Sequence, residues 1–184
     1  MEDKVTKFGN CAHNLIDYAE HHIQLSELSA QRYSEYDVFC DISEHIELCL
    51  GFIEDVIKGN GNSEVLVQPL ESLASIGIAG YYYANSGGFT LNGIANYMTD
   101  LYARKNRDYG NSFDKSMDKF GLVVAAIRIG DKVNRLQSLI AKRGEAEVKD
   151  ESLADTFIDL ACYAIMTMMW IDGKNERESS QTME

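Results

Sequence analysis

Glu151, Asp155 and Asp159 follow one another at i, i+4 and i+8, so a helix through them would stack three carboxylates on one side. Cys162, Tyr163 and Met166 continue that side. Like charges one turn apart repel, and the arrangement calls for a counter-charge. Ser152 and Asp155 have the spacing of a capping box, and Asp155 would also gain from the helix dipole, which is a structural reason for that acid. It gives none for Asp159, one turn deeper among Phe157, Ile158, Leu160 and Ala161. A divalent cation would neutralise the stacked acids.

Upstream, Arg128, Asp131 and Arg135 stand at i, i+3 and i+7 on one helix face, with Lys132 beside it. Ile129, Val133, Leu136 and Ile140 form a separate apolar stripe. Local Arg–Asp pairs on a solvated face are the plain explanation of such spacing, at ~0.2–0.5 kcal/mol per pair. If the acids downstream hold a metal, these bases are placed to hold phosphate oxygens. The stretch Asp108-Tyr109-Gly110-Asn111-Ser112 adds Tyr109, which could stack on a base. Ser112 could cap the following helix, or its hydroxyl and nearby amides could receive a phosphate.

The elements that carry these residues are predicted to be helices throughout. The 184-residue chain fits one domain, is 45% apolar, and contains a single proline, Pro69, whereas strand-rich folds need many tight turns. Helices are predicted over Thr6–Leu28, Glu35–Lys58, Val67–Tyr83 (broken near Gly77 and Gly80), Leu91–Arg104, Ser112–Lys142 (kinked at Gly121 or Gly130) and Asp150–Ile171. Residues Asn106 to Asn111 read as a loop, and the tail after Gly173 as frayed. The result is an all-α bundle of about six helices in one domain, 1–184. Its first ninety residues have no assigned role. The run Tyr81-Tyr82-Tyr83 is read as packing rather than as a stacking platform.

A formal net charge of −12 repels phosphate backbones and argues against nucleic-acid binding, but not against a nucleotide bridged by a metal. Cys11, Cys40, Cys49 and Cys162 form no CxxC pair and follow no secretory signal, so they read as reduced thiols in a cytoplasmic protein. No apolar run reaches the ~18 residues of a membrane span, and no membrane partner is expected.

Three blocks together carry a family resemblance. They are Lys105-x-x-Asp108-Tyr109-Gly110-x-Ser112-Phe113, then Arg128-x-x-Asp131-Lys132-x-x-Arg135-Leu136, then Asp155-Thr156-x-x-Asp159-Leu160-Ala161-x-Tyr163. Over residues 95–172 the chain resembles the nucleotide-modification-associated domain 1 family, common in phages and prophages. That family is distantly similar to the all-α nucleotide pyrophosphohydrolases of the MazG and dimeric dUTPase superfamily. There, an ExxE pair and a later ExxD pair bind magnesium and orient a water onto a nucleoside triphosphate. This chain departs from that pattern: the helix before the last carries Asp131 among Arg128, Lys132 and Arg135, and Glu44-x-x-Glu47 lies far upstream.

The resemblance implies a MazG-like, Mg²⁺- or Mn²⁺-dependent pyrophosphohydrolase, acting in the host cytoplasm if phage-encoded, and a homodimer or homotetramer. Asp131, Asp155 and Asp159 would hold the metal, with Glu151 and Asp155 catalytic. Lys105, Arg128, Lys132 and Arg135 would bind phosphates, while Asp108, Tyr109, Ser112 and Tyr163 complete the nucleotide site. Two rivals stand beside it. One is a non-catalytic protein that sequesters a nucleotide, such as a cyclic or ADP-ribose-type signal. The other is an interaction module in which Asp155 and Asp159 merely pair with Arg128 and Arg135.

Overall fold

The computed structural model describes residues 3–30, 35–60, 62–85, 88–142 and 152–181, and among them no strand occurs. Helix α1 (Lys4–Asn14) starts where the Asp3 carboxylate accepts from the backbone N–H groups of Val5 and Thr6, at 2.9 and 3.0 Å. Leu15 alone separates α1 from α2 (Ile16–Ala30). Taken as one broken rod, they make seven helices where about six were expected. Helix α3 (Glu35–Asp55) runs into a π turn, Val56–Asn60, in which Gly59 takes a φ of 97° and stops the helix as its type predicts. A 3₁₀ turn, Ser63–Leu66, feeds α4 (Val67–Ala84). Then come α5 (Leu91–Tyr109), α6 (Ser112–Phe120), α7 (Val123–Ala141) and α8 (Leu153–Gln181).

The core is built around α4 and α8, which pack on each other more extensively than any other pair; α7 is the next neighbour of α8. Every residue from Leu73 to Tyr81 of α4 is buried. On α8 so are Phe157, Ile158, Leu160, Ala161, Ala164 and Ile165. The apolar stripe predicted on α7, Ile129, Val133, Leu136 and Ile140, points inward, as do Ala12, Ala19 and Ile23 of α1 and α2, Leu15 between them, and Ile42, Ile46 and Ile53 of α3. Tyr81 is also core, stacked on Tyr97 with centroids 5.9 Å apart. Glu44, Glu47 and Glu54 are exposed, as a solvated face requires.

Several boundaries differ from the sequence reading. Helix α4 is not broken at Gly77 or Gly80. Those glycines serve close packing: a Cβ on Gly77 would lie 2.8 Å from the Phe157 carbonyl oxygen and 2.9 Å from the Ala161 Cβ. A Cβ on Gly80 would overlap the Phe157 ring. Residues 106–109 are helical rather than a loop, because α5 runs on until Gly110 closes it at φ 58°. The long helix predicted over Ser112–Lys142 divides at Gly121, φ 71°, while Gly130 lies within unbroken helix. The tail after Gly173 stays helical to Gln181.

Helix α8 also has the length and apolar content of a membrane span over Leu153–Arg177, which the sequence reading did not anticipate. Within that window 61% is buried inside the fold, against α4 and α7, as in a core helix.

The α4–α8 contact makes an exchange of signs testable. Gly77→Ala is expected to lower unfolding stability by about 1–3 kcal/mol, since backbone and Ala161 must both give way. Gly51→Ala, in exposed α3 with nothing within 4 Å of its Cβ, is expected to raise it by about 0.5–1 kcal/mol. Urea unfolding of the two variants reads both values, and equal effects would contradict the packing described.

Candidate functional site

Three helices and the start of a fourth enclose a cavity of about 330 Å³. Helix α5 contributes Leu101, Tyr102, Lys105, Asn106 and Tyr109, whose steps of one, three, one and three keep them on one face. Helix α8 contributes Asp159, Cys162, Tyr163 and Met166 by the same rule. Arg128 comes from α7, and Ser112 and Phe113 from the first turn of α6.

The turn between α5 and α6 fixes how these faces meet. Gly110 and Asn111 both adopt left-handed backbone, with φ of 58° each. Glycine does so freely, and asparagine is among the few other residues that tolerate it. Two such residues in succession reverse the chain in minimal length, which places Tyr109 and Ser112 on the same cavity. Asn111 precedes α6 without a side-chain hydrogen bond to its first amides.

Asp159 is the electrostatic centre. Lys105 Nζ donates to one carboxylate oxygen at 2.9 Å, and Lys132 Nζ meets the other at 2.9 Å. One carboxylate thus ties α5, α7 and α8 together. Burial works to push the Asp159 carboxyl up, but hydrogen bonds from Lys132 and Lys105, with their charges, outweigh it and hold it below its ordinary 3.8. Burial likewise works to pull Lys105 down, and the hydrogen bond and charge of Asp159 outweigh that, so Lys105 is raised. Arg128 also lines the cavity, and no hydrogen bond or ion pair engages it among the described residues.

The remaining lining is aromatic and thiol. Tyr102 lies flat on Phe8 with centroids 4.4 Å apart. Its phenol is pushed up to about 12, by burial first and by the Asp114 carboxylate second. Phe113 and Tyr163 pack at 5.7 Å, tilted by 42°. Tyr109 is 69% exposed, leaving one ring face free at the mouth. Burial, helped by the Asp159 charge and opposed by Lys105, drives the Cys162 thiol up to about 12, which keeps it protonated at neutral pH.

Of the residues singled out from sequence, Lys105, Tyr109, Ser112, Arg128, Asp159 and Tyr163 line this cavity, and Lys132 reaches it through Asp159. Asp108, Asp131, Arg135 and Asp155 do not line it. Glu151 lies outside the described residues. The partners proposed for Asp159 in the interaction-module reading, Arg128 and Arg135, are replaced by Lys105 and Lys132. Asp155 forms the capping box that its spacing suggested. Its Oδ2 accepts from the Ser152 N–H at 3.1 Å and from the Ser152 hydroxyl at 2.6 Å, while the Asp155 N–H donates to that hydroxyl at 3.1 Å.

Leu101, Tyr102, Asn106, Phe113, Cys162 and Met166 were given no binding role from sequence. Reading 106–111 as a loop hid the α5 face, although the steps back from Lys105 to Tyr102 and Leu101 already had helical spacing.

The donor set does not fit a divalent cation. Each Asp159 oxygen is engaged by an ammonium group, and Asp155 is engaged by Ser152. Among the described residues, no three His, Cys, Asp or Glu side chains converge closely enough to hold a metal ion, and so Asp131, Asp155 and Asp159 do not gather as a triad. Two ammonium groups at 2.9 Å would moreover repel a cation placed on Asp159.

The bridge makes stability depend on acidity. The depressed carboxyl of Asp159 contributes stability that is present above its unfolded value near 3.8 and is lost as pH falls through the lower folded value. Asp159→Asn is therefore expected to cost about 1–2 kcal/mol at pH 6, between the range for exposed ion pairs and that for hydrogen bonds to charged groups. The gap between variant and parent should close as pH falls through the lowered folded value of Asp159. Urea midpoints across that range test it, and a gap independent of pH would contradict the bridge.

Comparison with known families places these observations together. Residues 105–171, from the last turns of α5 into α8, match the family model described as nucleotide modification associated domain 1. All the cavity-lining residues except Leu101 and Tyr102 fall inside that segment. Neither the curated proteins nor the solved structures contain a match to the chain.

Proposed function

We propose that this protein binds a nucleotide in the cavity between α5, α6, α7 and α8. The observation that carries the reading is a positively charged, aromatic-lined pocket in a chain of net charge −12. Lys105 and Arg128 line it with one carboxylate, Asp159, which Lys132 also contacts. Excess cations at one concave site of an otherwise acidic molecule mark the place where an anion is recognised. The family description of the matching segment supports a nucleotide as that anion.

In this reading the phosphate lies against Lys105 and Arg128, with Ser112 and the first amides of α6 at the same end. The base stacks on Tyr109, beside the Phe113–Tyr163 pair. Asp159 acts as a positioning residue: it holds Lys105 and Lys132 extended and charged at the wall, in a geometry that would otherwise scatter two flexible side chains.

Hydrolysis at a metal centre, which the resemblance implied, finds less support. The reaction would need acids free to ligate, and Asp155 and Asp159 are engaged elsewhere. The two readings diverge at Asp159. As a metal ligand it would be indispensable to ligand binding in Mg²⁺; as a positioning counter-ion its loss leaves the three cations in place to meet an anion, though less well ordered.

The expected outcome is that a mixture of deoxynucleotides and ribonucleotides dialysed against the protein in EDTA leaves one retained chemically unchanged. Lys105→Met and Arg128→Met should each weaken retention by about tenfold, the loss of one charged hydrogen bond. Asp159→Asn should retain the nucleotide. Retention by neither parent nor variants, or Mg²⁺-dependent release of pyrophosphate abolished by Asp155→Asn, would overturn the proposal.

A further inference from the structure

We infer that the ligand of this pocket is a nucleoside monophosphate, bound without a divalent cation, rather than a di- or triphosphate. The inference rests on the nucleotide-binding reading and goes further by naming the phosphate number from charge and space.

Charge is the first argument. Lys105, Lys132 and Arg128 set against Asp159 leave the wall with a net of two positive charges. A phosphate monoester carries about −1.5 to −2 at neutral pH, so one phosphate balances the wall. Each further phosphate brings negative charge beyond what Lys105, Lys132 and Arg128 balance.

The surroundings sharpen this. Every helix that contributes a charged group to the wall also carries an acid within one turn of it. On α5, Asp108 follows Lys105 by three residues; on α7, Asp131 follows Arg128 by three; on α8, Asp155 precedes Asp159 by four. None of the three lines the cavity. A phosphate chain extending beyond the cations would therefore enter the field of a molecule with a net charge of −12. A polyphosphate normally brings a divalent ion to offset its charge. Here the carboxylate nearest the cations is already held by two ammonium groups.

Space agrees. A cavity of about 330 Å³ is at the small end of ligand pockets, which run from ~300 to 1,000 Å³. That size favours one small nucleotide over a larger ligand.

The test is calorimetric titration in EDTA with the common 2′-deoxynucleosides, each as the free nucleoside, the 5′-monophosphate and the 5′-triphosphate. The preferred nucleoside should bind about tenfold more tightly as its monophosphate than as its triphosphate, and more tightly than the free nucleoside. Asp159→Asn raises the wall charge by one. It should shift the monophosphate-to-triphosphate ratio toward the triphosphate by several-fold, a change that a purely structural role for Asp159 would not produce. A parent that prefers the triphosphate in EDTA, or a ratio unmoved in Asp159→Asn, overturns this inference while leaving nucleotide binding in place. Absence of binding to any of these probes overturns both.

Discussion

A carboxylate on a helix that is otherwise packed into the core must find cations, and Asp159 finds two. Helix α8 is pressed against α4 so closely that Gly77 and Gly80 leave no space for a side chain. That contact fixes which face of α8 turns away from α4. The face holds Asp159, Cys162, Tyr163 and Met166, and it becomes one wall of a cavity only because α5 and α7 bring Lys105 and Lys132 to Asp159. The charge bridge and the helix contact depend on each other. Without the tight α4 contact α8 could rotate Asp159 to solvent; without the lysines a half-buried carboxylate would resist the packing.

The consequence for function follows from what the bridge uses up. An acid already engaged on both oxygens by ammonium groups is a poor ligand for a metal, and its partners stand ready for an anion. The chain thereby concentrates positive charge in one small concavity, while its exposed acids keep the rest of the surface negative. The proposed recognition of a phosphate-bearing ligand draws on this contrast, on the exposed ring of Tyr109 and on the packed rings of Tyr102 and the Phe113–Tyr163 pair.

How much of this the sequence reveals depends on whether a feature is local. Periodicity identifies the apolar stripes of α1 to α3 and α7, and local chemistry identifies the Ser152–Asp155 capping box, because both are settled within a turn or two. The cations of Asp159 are not local: Lys105 is 54 residues away, and nothing in the spacing on α7 distinguishes Lys132 from Arg128 or Arg135 as the partner. Gly77 and Gly80 read as helix breakers in isolation, while their actual role depends on Phe157 and Ala161 across the interface. The end of α5 was misread for a related reason. Asp108 is a poor helix former, but Gly110 is the residue at which the backbone turns left-handed, so the helix continues until there. Part of the cavity wall was lost from view with that last turn.

The most direct test is a crystal structure of the protein grown with a 2′-deoxynucleoside 5′-monophosphate and Mg²⁺ together. The account predicts a phosphate within ~2.7–3.2 Å of Lys105 Nζ and the Arg128 guanidinium, the Asp159 carboxylate still on Lys132, and no metal ion on Asp155 or Asp159. A magnesium ion coordinated by Asp155 and Asp159, with Lys105 and Lys132 swung away, would contradict it.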